Sequence, residues 1–154
     1  MMTELQLYKP EYFNLVNEFH LPAEQLQFTA QPSEMLEVTE ERHPVVILSE
    51  NEPVGFFVLH SSDRVQEYTE NPVAMLLTAF SINHVHQGKG YAVQGLNELK
   101  VFVNQSFPAC NEVVLAVNKR NIPAQKLYQK AGFTDTGRRK NGRKGEQLIL
   151  SLKV

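Results

Sequence analysis

The sequence has a single cysteine, Cys110, among its 154 residues. One thiol excludes an internal disulfide framework and any metal centre of the Cys-x-x-Cys kind, and we expect it to be a small buried side chain. No apolar run approaches the ~20 residues that a membrane-spanning helix needs, and the first thirty residues lack a basic segment followed by an apolar one. We therefore expect a cytoplasmic protein with no membrane contact and no metal.

Two nucleotide-binding fingerprints are missing as well. Gly88 and Gly90 lack the third glycine of the dinucleotide fingerprint, and no Gly-Lys-Ser/Thr follows them as in a P-loop. The glycine turn (residues 87–90) still joins an apolar stretch to a stretch with helical spacing, residues 92–103. The first N–H groups of a helix have no partner within it and carry partial positive charge, and glycine lets a ligand approach the backbone. The turn therefore predicts a site for negatively charged oxygen.

Composition predicts one globular domain over residues 1–154, with 42% hydrophobic and 21% charged residues. The net charge of −2 hides an asymmetry, because residues 1–80 carry thirteen Asp/Glu and three Lys/Arg, whereas residues 81–154 carry four and twelve. Two interpretations stay open. Either solvated charge differs between two parts of one surface, or the second half holds an anionic ligand and the first half attracts a cationic one.

Periodicity predicts a mixed α+β fold whose parallel pairing lies around the crossover at 73–117. The predicted strands cover residues 4–8, 44–49, 54–60, 72–82, 112–117, 133–139 and 146–152. The predicted helices begin at Pro10, cover residues 23–28, begin after Ser33, follow the glycine turn, and cover residues 121–131. Residues 51–53 and 141–142 are predicted as hairpin turns.

Two motifs resemble those of the GNAT superfamily of N-acetyltransferases. The family's pyrophosphate signature is Gln/Arg-x-x-Gly-x-Gly/Ala, and the turn here reads Gln87-x-x-Gly90-x-Ala92. The family's segment after the fifth strand is matched by Asn121-x-x-Ala124-x-x-Leu127-Tyr128-x-Lys130-x-Gly132-Phe133. Residues 12–28 further resemble bacterial spermine/spermidine acetyltransferases. His84 departs from the pattern, since the family often has a proline just before the turn.

The resemblance implies the three-layer, α/β-type GNAT fold. Its mixed, mostly antiparallel seven-stranded sheet is flanked by helices, and its parallel fourth and fifth strands splay apart to admit acetyl-CoA as co-substrate. Backbone groups of Phe80 and Ile82 would pair with the pantetheine arm. The pyrophosphate would be held by Gln87, Gly88, Lys89, Gly90, Tyr91 and Ala92.

Three of the residues implied in cofactor binding also have a structural interpretation. Asn121 would hydrogen-bond the cofactor's arm, or it would cap its own helix. Lys130 would reach a cofactor phosphate, or it would answer the dipole at the end of that helix. Lys89 is either a phosphate contact or an exposed, solubilising charge.

Tyr128 is the residue that the resemblance points to for chemistry. A phenol with a pKa near 10 can protonate the CoA thiolate as it leaves, although a tyrosine at helical spacing can also serve packing alone. The base stays open, because the predicted fourth strand has no ionisable side chain. Only about one alkylammonium in a thousand is deprotonated at pH 7. The candidates are Glu67, Glu70, His60, His84, His86 and a chain of water molecules.

The sequence thus predicts an N-acetyltransferase that moves acetyl from acetyl-CoA to a primary amine by direct attack in a ternary complex. We expect the amine to be a polyamine such as spermine or spermidine, attracted by acidic residues of the first half: Glu18, Glu24, Glu34, Glu37, Glu67 and Glu70. Alternatives are acetylation of a protein N-terminus, an aminoglycoside or an amino acid, and a non-catalytic acyl-CoA-binding sensor. The basic hairpin (residues 138–144) is interpreted as a solvated turn rather than a nucleic-acid site, because no aromatics interleave it. Whether the chain forms a homodimer stays open.

Overall fold

The computed structural model describes residues 3–154. In that part of the chain the strands are β1 (Thr3–Leu7), β2 (Arg42–Ser49), β3 (Glu52–His60), β4 (Met75–Ile82), β5 (Glu112–Asn118), β6 (Thr134–Gly142) and β7 (Gly145–Lys153). The α-helices are α1 (Phe13–Asn17), α2 (Ala23–Leu26), α3 (Tyr91–Asn97), α4 (Leu99–Ser106) and α5 (Ile122–Lys130). The strands form one sheet in the order β1-β2-β3-β4-β5-β7-β6.

The sheet is mixed, as the sequence predicts. β4 and β5 are parallel, and the other neighbouring strands are antiparallel. Helices lie on both faces. On one face Leu96, Leu99 and Val103 of α3 and α4 pack on the sheet in the largest apolar cluster. On the other face α1 packs through Val16, and the 3-10 turn Asp63–Glu67 packs through Val65. This confirms the predicted three-layer fold.

β4 and β5 stay together over two residue pairs only, Met75 with Val113 and Leu76 with Val114. Beyond them β4 carries a bulge at Ala79, whose φ is +57°, and its register against β3 shifts there. A bulge bends the strand that contains it. The two parallel strands therefore diverge into the V-shaped opening that the resemblance implies.

The predicted helix after Ser33 is wrong. A 3-10 turn, Pro32–Glu34, is the only helical element between α2 and β2. The Arg42 side chain donates to the carbonyl oxygens of Glu37 at 3.0 Å and Met35 at 3.2 Å. Those carbonyls are thereby satisfied by a side chain instead of by helical N–H groups, and a segment with few apolar residues has little to bury as a helix.

Smaller differences concern turns and one helix. The first hairpin turns at Glu50 and Asn51, both with positive φ (51° and 70°) as a type I′ turn requires. The last hairpin turns at residues 143–144, not 141–142, and Gly145 follows with φ +113°, as in a turn closed by a glycine bulge. The helix after the glycine turn is interrupted at Glu98, whose N–H bonds three residues back to Gly95.

Three further predictions from the sequence concern the cysteine, the end of α5 and membrane-spanning helices. Cys110 is buried, as predicted, with 6% of its surface exposed, and burial raises the pKa of its thiol. Gly132 ends α5 with φ +103°, the left-handed cap that the sequence predicts. Within residues 3–154 no helix has both the length and the apolar character needed to cross a bilayer.

Candidate active site

A cavity of about 870 Å³ fills the opening between the splayed strands. Its walls are residues 77–82 of β4 and 115–118 of β5, with the glycine turn and α5 on either side. Residues 27–29, just after α2, and the tip of the last hairpin complete the lining. On the sides that face the opening, β4 and β5 have no strand partner beyond Leu76 and Val114, so their backbone groups there are available to a ligand.

The glycine turn adopts the conformation for which glycine is needed. Gly88 and Gly90 have φ of +78° and +86°, and Gly90 is the N-cap residue of α3. The Gln87 side chain donates to the Ile82 carbonyl at 2.8 Å, which ties the turn to the end of β4. Of the six residues implied in pyrophosphate binding, all but Lys89 line the cavity.

The cavity brings most of the other implied cofactor residues together. Phe80 and Ile82 of β4 line it, as does Asn121 at the start of α5. The Asn121 side chain accepts a hydrogen bond from the Ala124 N–H at 3.3 Å, so it caps its helix and keeps its NH₂ group for a ligand. Lys130 ends α5 and does not line the cavity.

Tyr128 lines the same cavity from α5 and is buried to 9% exposure. Its ring meets Phe80 edge-on at 6.0 Å and Phe133 at 5.7 Å between centroids. Burial raises the pKa of the phenol well above its usual 10, because a phenolate is poorly solvated there. At neutral pH Tyr128 is therefore a hydrogen-bond donor.

Two of the candidate bases on the loops, Glu67 and Glu70, lie outside the cavity. Glu67 pairs with Lys140 at 3.2 Å, and Glu70 does not line the cavity. His86 does line it, and its ring lies 3.9 Å from the Glu52 carboxylate. His84 instead meets the ring of His20 edge-on at 5.7 Å.

His60 is the buried candidate, with 4% exposure. It does not line the cavity itself, but its Nε2 lies 2.7 Å from the Oγ1 of Thr78, which does. Burial, with Arg64 and Arg42 nearby, lowers the pKa of His60 to about 4. Its imidazole is therefore neutral at physiological pH.

Sequence reasoning missed how the segment around α2 closes the cavity. Gln25 and Gln87 exchange side-chain amide hydrogen bonds at 2.9 and 3.1 Å. Arg120 lies over the Phe28 ring at 5.9 Å and donates to the Lys144 carbonyl at 2.7 Å. These contacts join residues that are 24 to 92 positions apart in the sequence, so no local motif indicates them.

The basic hairpin divides into paired and cavity-lining charges. Arg139 bonds to both carboxylate oxygens of Asp135, at 2.9 and 3.0 Å. Lys140 pairs with Glu67. Arg143 and Lys144 line the cavity. The charge asymmetry in the sequence was the available signal for these two residues.

Of the six acidic residues predicted to attract the acceptor, Glu24 lines the cavity. Arg120, Arg143 and Lys144 line it too, so its charge is mixed. Within residues 3–154 no three His, Cys, Asp or Glu side chains are arranged to hold a metal ion.

Known proteins resemble the chain over nearly its whole length. A model of the acetyltransferase (GNAT) family matches residues 5–133. The uncharacterized N-acetyltransferase YbbJ of Bacillus subtilis (strain 168) is 47% identical over 150 residues, which cover 95% of this chain and 94% of that protein. The spermine/spermidine N(1)-acetyltransferase of the same strain is 29% identical over 123 residues, or 78% of this chain and 80% of that protein.

Solved structures agree in fold. Aminoglycoside acetyltransferase AAC(6')-Ib in complex with coenzyme A superposes with a TM-score of 0.79 at 16% identity, over 99% of this chain and 95% of that chain. A Bacillus subtilis acetyltransferase in complex with CoA gives 0.64 at 14% identity, over 99% of each chain. With a family model over most of its length and a relative at nearly half identity, the chain belongs to the GNAT family of acetyltransferases.

Proposed function

We propose that this protein moves the acetyl group of acetyl-CoA to a primary amine of a small molecule, by direct attack in a ternary complex. The observation that carries the proposal is the cavity between β4 and β5, which has the glycine turn at its open end and Tyr128 in its wall. Family membership supports the enzyme class and the co-substrate. Two structural neighbours described above were solved with coenzyme A.

The cofactor would follow the free edge of β4. Its pyrophosphate would meet the N–H groups of the glycine turn, and its arm would pair with backbone groups of Phe80 and Ile82 as a strand does. The amine nitrogen then attacks the thioester carbon. As the C–S bond breaks, the sulfur takes the electron pair, and the nitrogen gives up its proton to water.

Tyr128 would assist the departure of the thiolate. A thiol with a pKa near 8.5 is more acidic than a phenol with a pKa near 10. Full proton transfer from Tyr128 to the thiolate is therefore unfavourable by at least about 2 kcal/mol. Burial disfavours both anions, so it leaves this difference in pKa similar. A hydrogen bond from the phenol to the thiolate contributes about 1.5–3 kcal/mol without any transfer of the proton. Tyr128 would therefore stabilise the thiolate by donating its hydrogen bond before the proton moves.

A polyamine is the acceptor that the relatives suggest. The support is the 29% identity to a spermine/spermidine acetyltransferase and the Glu24 carboxylate in the cavity lining. Arg120, Arg143 and Lys144 line the same cavity, so its charge alone does not favour a polycation. An aminoglycoside, an amino acid and a protein N-terminus stay as alternatives within the class.

The test is a panel of amines assayed with acetyl-CoA, in which the released thiol is measured. Spermine, spermidine, an aminoglycoside, L-lysine and a short peptide with a free N-terminus represent the acceptor classes. We expect amine-dependent thiol release with at least one of them. Tight binding of acetyl-CoA with no amine-dependent release from any would favour an acyl-CoA sensor instead.

The proposal keeps residues 1–154 as one domain acting in the cytoplasm. A monomer and a homodimer both fit this chemistry, which needs one copy of the cavity, and sedimentation analysis distinguishes them.

A further inference from the structure

Thr78 lies at the closed end of the opening between the splayed strands. The last residue pair that β4 and β5 share is Leu76 with Val114, and Thr78 is among the first residues of β4 beyond it that line the cavity. The glycine turn is at the other end, past Ile82. A cofactor with its phosphates at the turn and its arm along β4 therefore brings its acyl group toward Thr78.

A buried imidazole stands behind this hydroxyl. Thr78 pairs with Val58 of β3 in the sheet register, and His60 is two residues further along β3, on the same face. Diagonal neighbours on antiparallel strands are within reach of each other's side chains. The His60 Nε2 is 2.7 Å from the Thr78 Oγ1, a distance typical of a good hydrogen bond.

We propose that His60 and Thr78 form a positioning pair for the acceptor amine: His60 fixes the Thr78 hydroxyl, and the Thr78 oxygen accepts an N–H of the amine beside the thioester. The inference rests on the proposed function and adds a specific role at the same site. It gives a polar side chain of β4 a role in holding the amine, although this strand has no ionisable side chain.

His60 orients the hydroxyl rather than taking the proton. Burial lowers the pKa of His60 to about 4, helped by Arg64, Arg42 and His43, so about one imidazole in a thousand is protonated at pH 7. Proton transfer from an ammonium with a pKa near 10 to this imidazole is therefore strongly unfavourable. A neutral imidazole with its hydrogen on Nδ1 accepts at Nε2.

The consequence for Thr78 follows from hydroxyl geometry. A hydroxyl has one donor hydrogen and two acceptor lone pairs. When the hydrogen of Thr78 points to His60, the lone pairs are left for the cavity. An amine held through one N–H can keep its own lone pair toward the thioester carbon, and such orientation raises the rate of attack.

The kinetic test compares Thr78→Val, which keeps the branched shape, with Thr78→Ser, which keeps the hydroxyl. The probe is the amine with the highest kcat/KM among spermidine, L-lysine and an aminoglycoside. We expect Thr78→Val to lower kcat/KM for that amine about 10-fold, the equivalent of one hydrogen bond, and Thr78→Ser to stay within about threefold. Calorimetry should find acetyl-CoA affinity unchanged in both, because neither change touches the glycine turn.

A double-mutant cycle with His60→Phe tests the coupling. If His60 acts through Thr78, His60→Phe lowers kcat/KM in the wild type but not in the Thr78→Val variant. Equal losses in both backgrounds would overturn the pair, as would wild-type kcat/KM in Thr78→Val.

Nitrogen-15 NMR of the His60 ring provides a readout that needs no acceptor. We expect a neutral ring with its hydrogen on Nδ1 at pH 7, and a shift of the Nε2 resonance in Thr78→Val. A hydrogen on Nε2, or titration of His60 near pH 6.5, would overturn the inference. Absence of thiol release with every amine would count against the proposed function, while the NMR result would still decide whether the pair exists.

Discussion

Replacing Gly90 by alanine separates the role of the glycine turn in binding from its role in folding. Gly90 has φ +86°, and the nearest atom to an added Cβ is the Nε2 of Gln94 at 3.5 Å, an ordinary contact. The site therefore has room for a methyl group. The cost lies in the backbone, since an L-residue in the left-handed region is disfavoured by about 1–2 kcal/mol.

Gly137 in β6 is a matched control. Its φ is +85°, and no atom lies within 4 Å of an added Cβ. It does not line the cavity. We expect Gly90→Ala and Gly137→Ala to lower the free energy of unfolding by a similar amount, about 1 kcal/mol, as measured by urea denaturation.

The two variants should differ in cofactor affinity. A turn that relaxes toward negative φ at residue 90 moves the N–H groups that begin α3, and each hydrogen bond to a phosphate oxygen contributes about 1.5–3 kcal/mol. We therefore expect the Kd for acetyl-CoA to rise at least ~10-fold in Gly90→Ala and to stay unchanged in Gly137→Ala. Calorimetric titration measures both. An unchanged Kd in folded Gly90→Ala would remove the turn from the cofactor site, and an equal loss in Gly137→Ala would assign the effect to general strain.

Three further predictions concern the acid, the acceptor and the pH dependence of stability. Tyr128→Phe keeps the ring and removes the donor, so kcat should fall about 100-fold with little change in acetyl-CoA affinity; wild-type turnover would assign thiolate protonation to solvent. Spermidine should exceed n-butylamine in kcat/KM at low salt, with the advantage lost as salt rises or in Glu24→Gln; equal values at low salt would contradict the polyamine acceptor. Burial raises the pKa of Glu112, but hydrogen bonds from Ser151 and Asn71 outweigh it and the net pKa is lowered from 4.5, so the carboxylate stabilises the fold above that pH. Glu112→Gln should lower the free energy of unfolding by about 1 kcal/mol at pH 7, and the difference should vanish as the pH falls through the lowered pKa of Glu112; a constant difference would contradict the charge argument.

The features that the sequence predicted well depend on short spacings. The glycine turn and the α5 motif each lie within about a dozen residues, and alternation along each strand marks its buried face. The helix after Ser33 failed because the competing interaction came from Arg42, a side chain that local propensity does not include. The last hairpin shifted by two residues because Gly145, rather than Gly142, supplied the positive φ.

The details of the site depend on contacts between distant residues. The hydrogen bond between Thr78 and His60 depends on the β3–β4 register, and the bulge at Ala79 changes that register within a strand whose sequence looks regular. Gln25 meets Gln87 across 62 positions of sequence. Neither pair has a local signature, so the closed end of the cavity could be described only from the fold.

The splay of β4 and β5 has a consequence for the protein when no cofactor is bound. Most sheets have their unpaired edges at the rim, where charges or bulges protect them from pairing with other chains. This sheet also has two in its middle, along residues 77–82 and 115–118, beyond the last shared pair. A bound pantetheine arm would cover one of them, so we expect the empty protein to be the more prone to association through added strands. Acetyl-CoA would then protect the protein from aggregation as well as donate the acetyl group.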